Sequence, residues 1–242
     1  MKISGNTILI TGGATGIGLG LTKRFIEEGN TVIICGRRGS ALKAVTDQYP
    51  GVISRVCDVS VKEEREALFN WIAAEHKDTN VLINNAGIQQ WMKPEDKDFF
   101  SRAHEEIAIN IEAPVHLAAL FIELPSINTI INVSSGLSFV PLTKTPVYSA
   151  TKAFLHSFTL SLRHLLKPKN IEVIELIPPA LNTDLGGIGL HDHAPPVIDF
   201  INSIFEQLKQ GKTTCTFGFS EAMSKAGPDE QQKAFERLNP EI

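Results

Sequence analysis

Cysteine is scarce in this chain: Cys35, Cys57 and Cys215 are the only three in 242 residues. They are odd in number and contain no Cys-x-x-Cys pair, which argues against a disulfide framework or a thiolate metal site and points to a reducing, cytoplasmic setting. Cys35 sits inside an apolar run, where a buried reduced thiol is expected. Basic charge is not in excess either. The formal net charge is -4 and the isoelectric point is near 6.0, so there is no electrostatic footprint for nucleic acid or an anionic membrane. No apolar run approaches the roughly 18 residues a spanning helix needs. The opening Met1-Lys2-Ile3-Ser4-Gly5-Asn6 has neither a long apolar stretch nor a small-residue cleavage site, so no leader peptide is expected. Repeats, low-complexity tracts and linkers are also missing.

What is present suits an ordinary globular protein. A hydrophobic fraction of 43% with 21% charged residues is enough to bury a substantial core. Short β-branched runs alternate with longer segments of helical period. The strand candidates are Thr7–Thr11, Thr31–Cys35, Val52–Cys57, Val81–Asn84, Thr129–Val133 and Ile171–Ile177. Ile8-Leu9-Ile10 and Val32-Ile33-Ile34 are apolar without alternation, as in parallel strands covered on both faces. Residues 16–29 carry Leu21, Phe25 and Glu28 at helical spacing and stop at Gly29. Residues 61–76 carry Leu68, Trp71, Ile72 and Glu75 likewise, leaving Glu63, Glu64 and Arg65 for solvent. The expectation is an α/β protein: one doubly wound Rossmann-type domain over residues 1–242, with a mainly parallel sheet and helices on both faces. Residues 184–220 break the rhythm with Leu185-Gly186-Gly187-Ile188-Gly189 and Pro195-Pro196 before a helical stretch near 198–210. They read either as a substrate-side insertion or lid, or as a plain surface excursion.

Thr11-Gly12-Gly13-Ala14-Thr15-Gly16-Ile17-Gly18 follows the first strand and opens the first helix. In that context glycine permits a tight turn, and free amides at a helix N-terminus receive a pyrophosphate. Gly12, Thr15, Gly16, Ile17 and Gly18 are therefore candidate dinucleotide contacts. The second strand ends Cys35-Gly36-Arg37-Arg38, with two guanidinium groups where an NAD site carries a carboxylate for the ribose 2′-hydroxyl. Arginine suits a 2′-phosphate, so NADP(H) is favoured and NAD(H) remains possible.

At this point the chain resembles the short-chain dehydrogenase/reductase family. The Thr-Gly-x-x-x-Gly-x-Gly spacing is met by Thr11, Gly12, Gly16 and Gly18, and the Asn-Asn-Ala-Gly strand end by Asn84, Asn85, Ala86 and Gly87. Asp58 with Val59 matches the adenine-capping position. Tyr148 and Lys152 match the Tyr-x-x-x-Lys pair. The family's interval between serine and tyrosine selects Ser135 over Ser134, and Asn110 matches the fourth member. The likeness extends over residues 5–183. It implies that Tyr148 exchanges a proton with the substrate oxygen, Ser135 orients that oxygen, Lys152 bonds the nicotinamide ribose, and Asn110 holds a water linking Lys152 to solvent. It also implies cofactor contacts from Asn85, Ala86, Gly87, Pro178 and Thr183, and a homodimer or homotetramer joined through the Tyr148 and Asn110 helices. The double proline Pro178-Pro179, together with Thr216-Phe217-Gly218-Phe219-Ser220-Glu221, is similar to a bacterial subgroup associated with the operon that D-alanylates lipoteichoic acid.

The residue chemistry supports the same expectation. Tyr148 and Lys152 fall one helical turn apart. A free tyrosine titrates near about 10, and an adjacent ammonium is expected to lower that value. Two features depart from the family: Pro179 stands where a glycine is usual, removing an amide donor, and Thr15 is neutral where many NADP-preferring members are basic. His191-Asp192-His193 falls short of a metal pattern, so no metal is expected. Gln89, Gln90, Trp91 and Met92 lie where the family's loops edge the substrate pocket. The predicted function is hydride transfer between a nicotinamide cofactor and a small carbonyl or alcohol substrate. The alternative of another class is a non-catalytic dinucleotide-binding sensor or scaffold.

Overall fold

The computed structural model describes residues 1–240. Strands β1 (Thr7–Thr11), β4 (Val81–Asn84) and β5 (Thr129–Val133) are buried at every position. That suits their mainly apolar sequences: helices cover both faces, so no side of these strands meets water. β3 (Ile53–Val56) alternates half-buried and exposed residues, as an edge strand should. With β2 (Thr31–Gly36), β6 (Glu172–Ile177) and β7 (Thr214–Thr216), the strands form one seven-stranded sheet in the order β3-β2-β1-β4-β5-β6-β7. Every pairing is parallel. The order reverses between β1 and β4, and in a doubly wound sheet the crevice beyond the strand C-termini at that point takes the ligand.

Two apolar layers hold the helices on. On one face α1 (Gly16–Glu27) and α7 (Val197–Lys209) pack Leu21 and Phe25 against Phe200, Ile204 and Phe205. The Phe25 and Phe205 rings lie 4.8 Å apart. On the other face α3 (Lys62–Glu75), α5 (Ala113–Phe121) and α6 (Pro146–Leu166) bury Leu68, Ile72, Leu117, Phe121 and Leu162. Each such side chain contributes about 1.5–3 kcal/mol of transfer free energy. α2 (Gly39–Gln48), α4 (Phe99–Ile107), α8 (Phe219–Lys225) and α9 (Pro228–Leu238) complete the chain. Pro146 starts α6 at a position where its missing N–H costs nothing. On α6 Leu155 and Leu162 turn inward, while Phe154 and Leu165 remain exposed. No described helix is long and apolar enough to cross a membrane.

Two expectations need correction. The segment 184–220 is not one excursion. Residues 184–196 lie outside regular elements, whereas α7 and β7 are part of the doubly wound frame and Phe200, Ile201, Ile204 and Phe205 are fully buried. Arg65 does not face solvent. It is 4% exposed, and its guanidinium donates to the Val59 carbonyl at 2.6 Å and to His116 Nδ1 at 3.0 Å.

Candidate active site

The turn between β1 and α1 is built for glycine. Gly12 and Gly16 adopt positive φ, 66° and 52°, a region costly for residues with a Cβ. Gly18 is constrained by contact instead: a Cβ there would stand 2.1 Å from the Gly12 carbonyl oxygen. Gly13, absent from the predicted site, is equally confined, since a Cβ would meet Ile34 Cγ2 at 2.5 Å. Thr11 ties the turn to the β4 end. Its hydroxyl donates to the Ile83 carbonyl and accepts from the amides of Asn85 and Ala86 at 3.0 Å each. Asn85 Nδ2 returns a bond to the Thr11 carbonyl at 2.9 Å.

This turn forms one end of a cleft of about 750 Å³, within the usual range for small-molecule sites. Gly12, Thr15, Gly16, Ile17, Gly18, Arg37, Arg38, Asp58, Val59, Asn85, Ala86, Gly87, Tyr148, Lys152, Pro178 and Thr183 all line it. Arg38 reaches the Thr15 hydroxyl at 3.3 Å, and Arg37 stands 3.5 Å from Glu105. Asp58 Oδ1 accepts from the amide and hydroxyl of Ser60, fixing the loop after β3, while the buried Arg65 supports that loop through Val59. A turn in which a Cβ would collide and amides cluster at a helix start fits a dinucleotide pyrophosphate. The paired guanidinium groups beyond β2 fit an additional phosphate.

Tyr148 and Lys152 occupy adjacent turns on the buried face of α6. Lys152 Nζ donates to the Val133 carbonyl at 2.8 Å and lies 5.7 Å from the Tyr148 ring centre. Ser134 and Ser135, beyond β5, have different fates. The Ser134 hydroxyl is taken by buried Glu175, whereas Ser135 sits beside the Tyr148 phenol. Asn110 lies in a π-helical turn, Ala108–Glu112, between α4 and α5. Its side chain accepts from the Ile88 amide and donates to the Ile88 carbonyl and Thr151 hydroxyl. Pro114, a turn later, has no N–H to give the Asn110 carbonyl. Tyr148 and Lys152 thus line one end of the cleft, with Ser135 beside the phenol and Asn110 behind Gly87, near the Lys152 ammonium, although neither Ser135 nor Asn110 lines the cleft itself.

The electrostatics differ from expectation. Burial pushes the Tyr148 phenol well above its ordinary range; the Ser135 hydroxyl opposes that shift and the Glu106 charge adds to it. In the protein alone, Lys152 is not among the groups that shift the phenol, and burial brings its own ammonium down to about 8. Sequence reasoning also missed Glu106. It lies one turn before Asn110 with no exposed surface, accepts from the Gln90 amide through Oε1, and is raised by burial to about 7. The sequence signal was its position on the Asn110 face of the helix. Thr183, Asp184, Leu185 and Gly186 cover the cleft from the 178–196 loop, which is pinned at its base by Asn182 to Pro195 and Asp192. His191, Asp192 and His193 gather no third ligand: among the described residues no group of three or more His, Cys, Asp or Glu is arranged to hold a metal.

This geometry agrees with the known proteins the chain matches. The short chain dehydrogenase family model matches residues 6–188. The chain is 42% identical to an uncharacterized oxidoreductase, DltE, of Bacillus subtilis, covering 99% of this chain and 98% of that protein. It is 32% identical to a serine 3-dehydrogenase of Rhizobium radiobacter, over 74% of this chain and 73% of the relative. In three dimensions it superposes on a short chain dehydrogenase from Burkholderia cenocepacia in complex with NADP. That match has a TM-score of 0.85 at 25% identity and covers 98% and 99% of the two chains. The chain thus belongs to the short-chain dehydrogenase family.

Proposed function

We propose that the protein is an NADPH-dependent carbonyl reductase, working as an alcohol dehydrogenase in the reverse direction. The observation that carries this reading is the Tyr148–Lys152 pair at one end of a cleft, with Ser135 beside the phenol and Asn110 behind the lysine. The other end of that cleft is a glycine cradle with two arginines. When bound, the nicotinamide cofactor supplies or accepts the hydride. Gly12, Gly16 and the amides at the start of α1 hold its pyrophosphate. Arg37 and Arg38 favour a 2′-phosphate over a bare hydroxyl.

The protein's own groups handle the proton. Ser135 Oγ orients the substrate oxygen toward Tyr148. Tyr148 Oη, kept protonated by burial, is a donor rather than a standing base, which suits the reductive direction. Lys152 Nζ, held by the Val133 carbonyl, approaches the developing phenolate as an ammonium and makes release of the proton easier. Asn110, close to Lys152 behind Gly87, holds the water that returns a proton to Lys152.

Calorimetric titration with NADPH and NADH tests the cofactor assignment, and preferential NADPH binding is expected. Reduction of a carbonyl panel, with serine and related hydroxy acids in the oxidative direction, tests the chemistry. Tyr148→Phe is expected to keep NADPH affinity and lose about 100-fold or more in turnover. Full activity in that variant refutes the role given to Tyr148, and binding of neither nucleotide by folded protein refutes the reading as a whole.

A further inference from the structure

Segment 88–90 is held against α4 and the π-helical turn at alternate residues. Asn110 pairs with both backbone groups of Ile88, and Glu106 takes the Gln90 amide. Gln89, between these two anchored positions, lines the cleft instead. Gln89 is buried, at 8% exposure, and its Oε1 has no hydrogen-bond partner among the described residues. Such an atom is expensive to leave unpaired, and buried side-chain oxygens without partners are rare.

That oxygen lies under the loop that lines the cleft. Gly186, in that loop, has φ 81° and packs so closely that a Cβ there would stand 3.0 Å from Gln89 Oε1 and 3.4 Å from Trp91 Nε1. An acceptor on Gln89 and an N–H donor on Trp91 therefore lie together beneath Gly186, next to the cleft that Gln89 and Gly186 line.

We propose that Gln89 is the substrate-recognition group of this cleft, accepting a hydrogen bond from an ammonium or hydroxyl that the substrate carries in addition to its reacting alcohol or carbonyl. The proposal rests on the oxidoreductase reading of the site and names the substrate class: small polar alcohols with a second donor, rather than hydrocarbon alcohols or ketones. A site with a buried acceptor rejects a ligand that cannot pair it, because binding then strips the acceptor of water without replacement. Glu106 and Asn110 act here as positioning residues, since they fix the backbone on either side of Gln89.

The test uses matched alcohols that differ in one donor: serine against 3-hydroxypropanoate, and propane-1,3-diol against propan-1-ol. Oxidation is followed with NADP⁺, and binding of each compound to NADP⁺-saturated protein is followed by calorimetry. In the wild type, kcat/KM is expected to favour the donor-bearing member of at least one pair by about tenfold or more. Gln89→Leu removes the acceptor at similar size and is expected to shrink that ratio by about 10–100-fold with NADPH affinity unchanged. Gln89→Glu, which keeps an acceptor, is expected to restore it for the ammonium compound. An unchanged ratio in Gln89→Leu overturns the proposal. So does a wild type that prefers the members lacking the donor, or that neither binds nor oxidises any donor-bearing member. Failure of the underlying reading looks different: no NADPH binding, or no reaction with any alcohol or carbonyl.

Discussion

Glu106→Gln isolates the cost of a buried carboxyl next to the reactive tyrosine. Glu106 has no exposed surface and one oxygen without a partner among the described residues, and burial raises it from 4.5 to about 7 against the partial relief of the Gln90 amide and Arg102. In the unfolded chain the same carboxyl titrates near its ordinary value. Between these two values the folded protein holds a proton that the unfolded chain has released, so raising the pH through this window withdraws stability. At about 1.36 kcal/mol for each pH unit separating the two values, the loss by about pH 8 is about 3 kcal/mol. Glutamine keeps the acceptor for Gln90 and cannot ionise. Urea unfolding of both proteins at about pH 4.5 and pH 8, without cofactor, gives four free energies. Their double difference cancels every other titrating group and should approach about 3 kcal/mol, with the wild type losing more on going to the higher pH. A double difference below about 1.4 kcal/mol, the equivalent of a tenfold change in proton affinity, or one of opposite sign refutes the idea that this carboxyl is buried against its charge.

Other consequences are simpler to measure. Gly18→Ala forces the helix start away from the Gly12 carbonyl; at about 1–3 kcal/mol of overpacking, scanning calorimetry should show Tm lower by about 2–12 °C. NADPH affinity should fall with it, and an unaltered Tm and affinity would contradict the close contact. Arg38→Ala should weaken NADPH about tenfold while leaving NADH unaffected by calorimetry; equal loss of both would remove the guanidinium from 2′-phosphate recognition. Lys152, brought to about 8 by burial, is an ammonium below that value and neutral above it. The kcat/KM for carbonyl reduction should therefore hold on the acid side and decline through about 8 as pH rises. A profile without a break there would contradict the role of Lys152.

How far the fold was legible depended on where each element gets its order. β1, β2, β4 and β5 announced themselves because strands covered on both faces are largely apolar. β7 is only three residues long, so pairing with β6 rather than local propensity makes it a strand. α7 was visible as a helix, but its place in the frame was not, because the Pro195-Pro196 break before it resembles the start of a loop. The glycine turn and the Tyr148–Lys152 pair could be read since their spacing along the chain is their function. Arg65 and Glu106 could not, because a charged residue on a helix looks the same whether its face meets water or a neighbouring loop. The titration of Tyr148 was misjudged for a related reason: the neighbouring ammonium is visible in the sequence, whereas the larger effect, removal of water from the phenol, exists only after packing.

The tight construction of the glycine turn has a consequence beyond binding. Thr11, Asn85, Gly13 and Gly18 fix its backbone through hydrogen bonds and contacts internal to the protein, so most of the ordering entropy is spent during folding rather than when a nucleotide arrives. A ligand that meets a finished surface binds the folded chain alone and stabilises it by mass action, by about 2.7 kcal/mol when its concentration is a hundred times its Kd. On the proposed function, the persistence of the folded protein is tied to the nucleotide supply around it, and depletion of the cofactor is expected to lower the amount of protein as well as its rate.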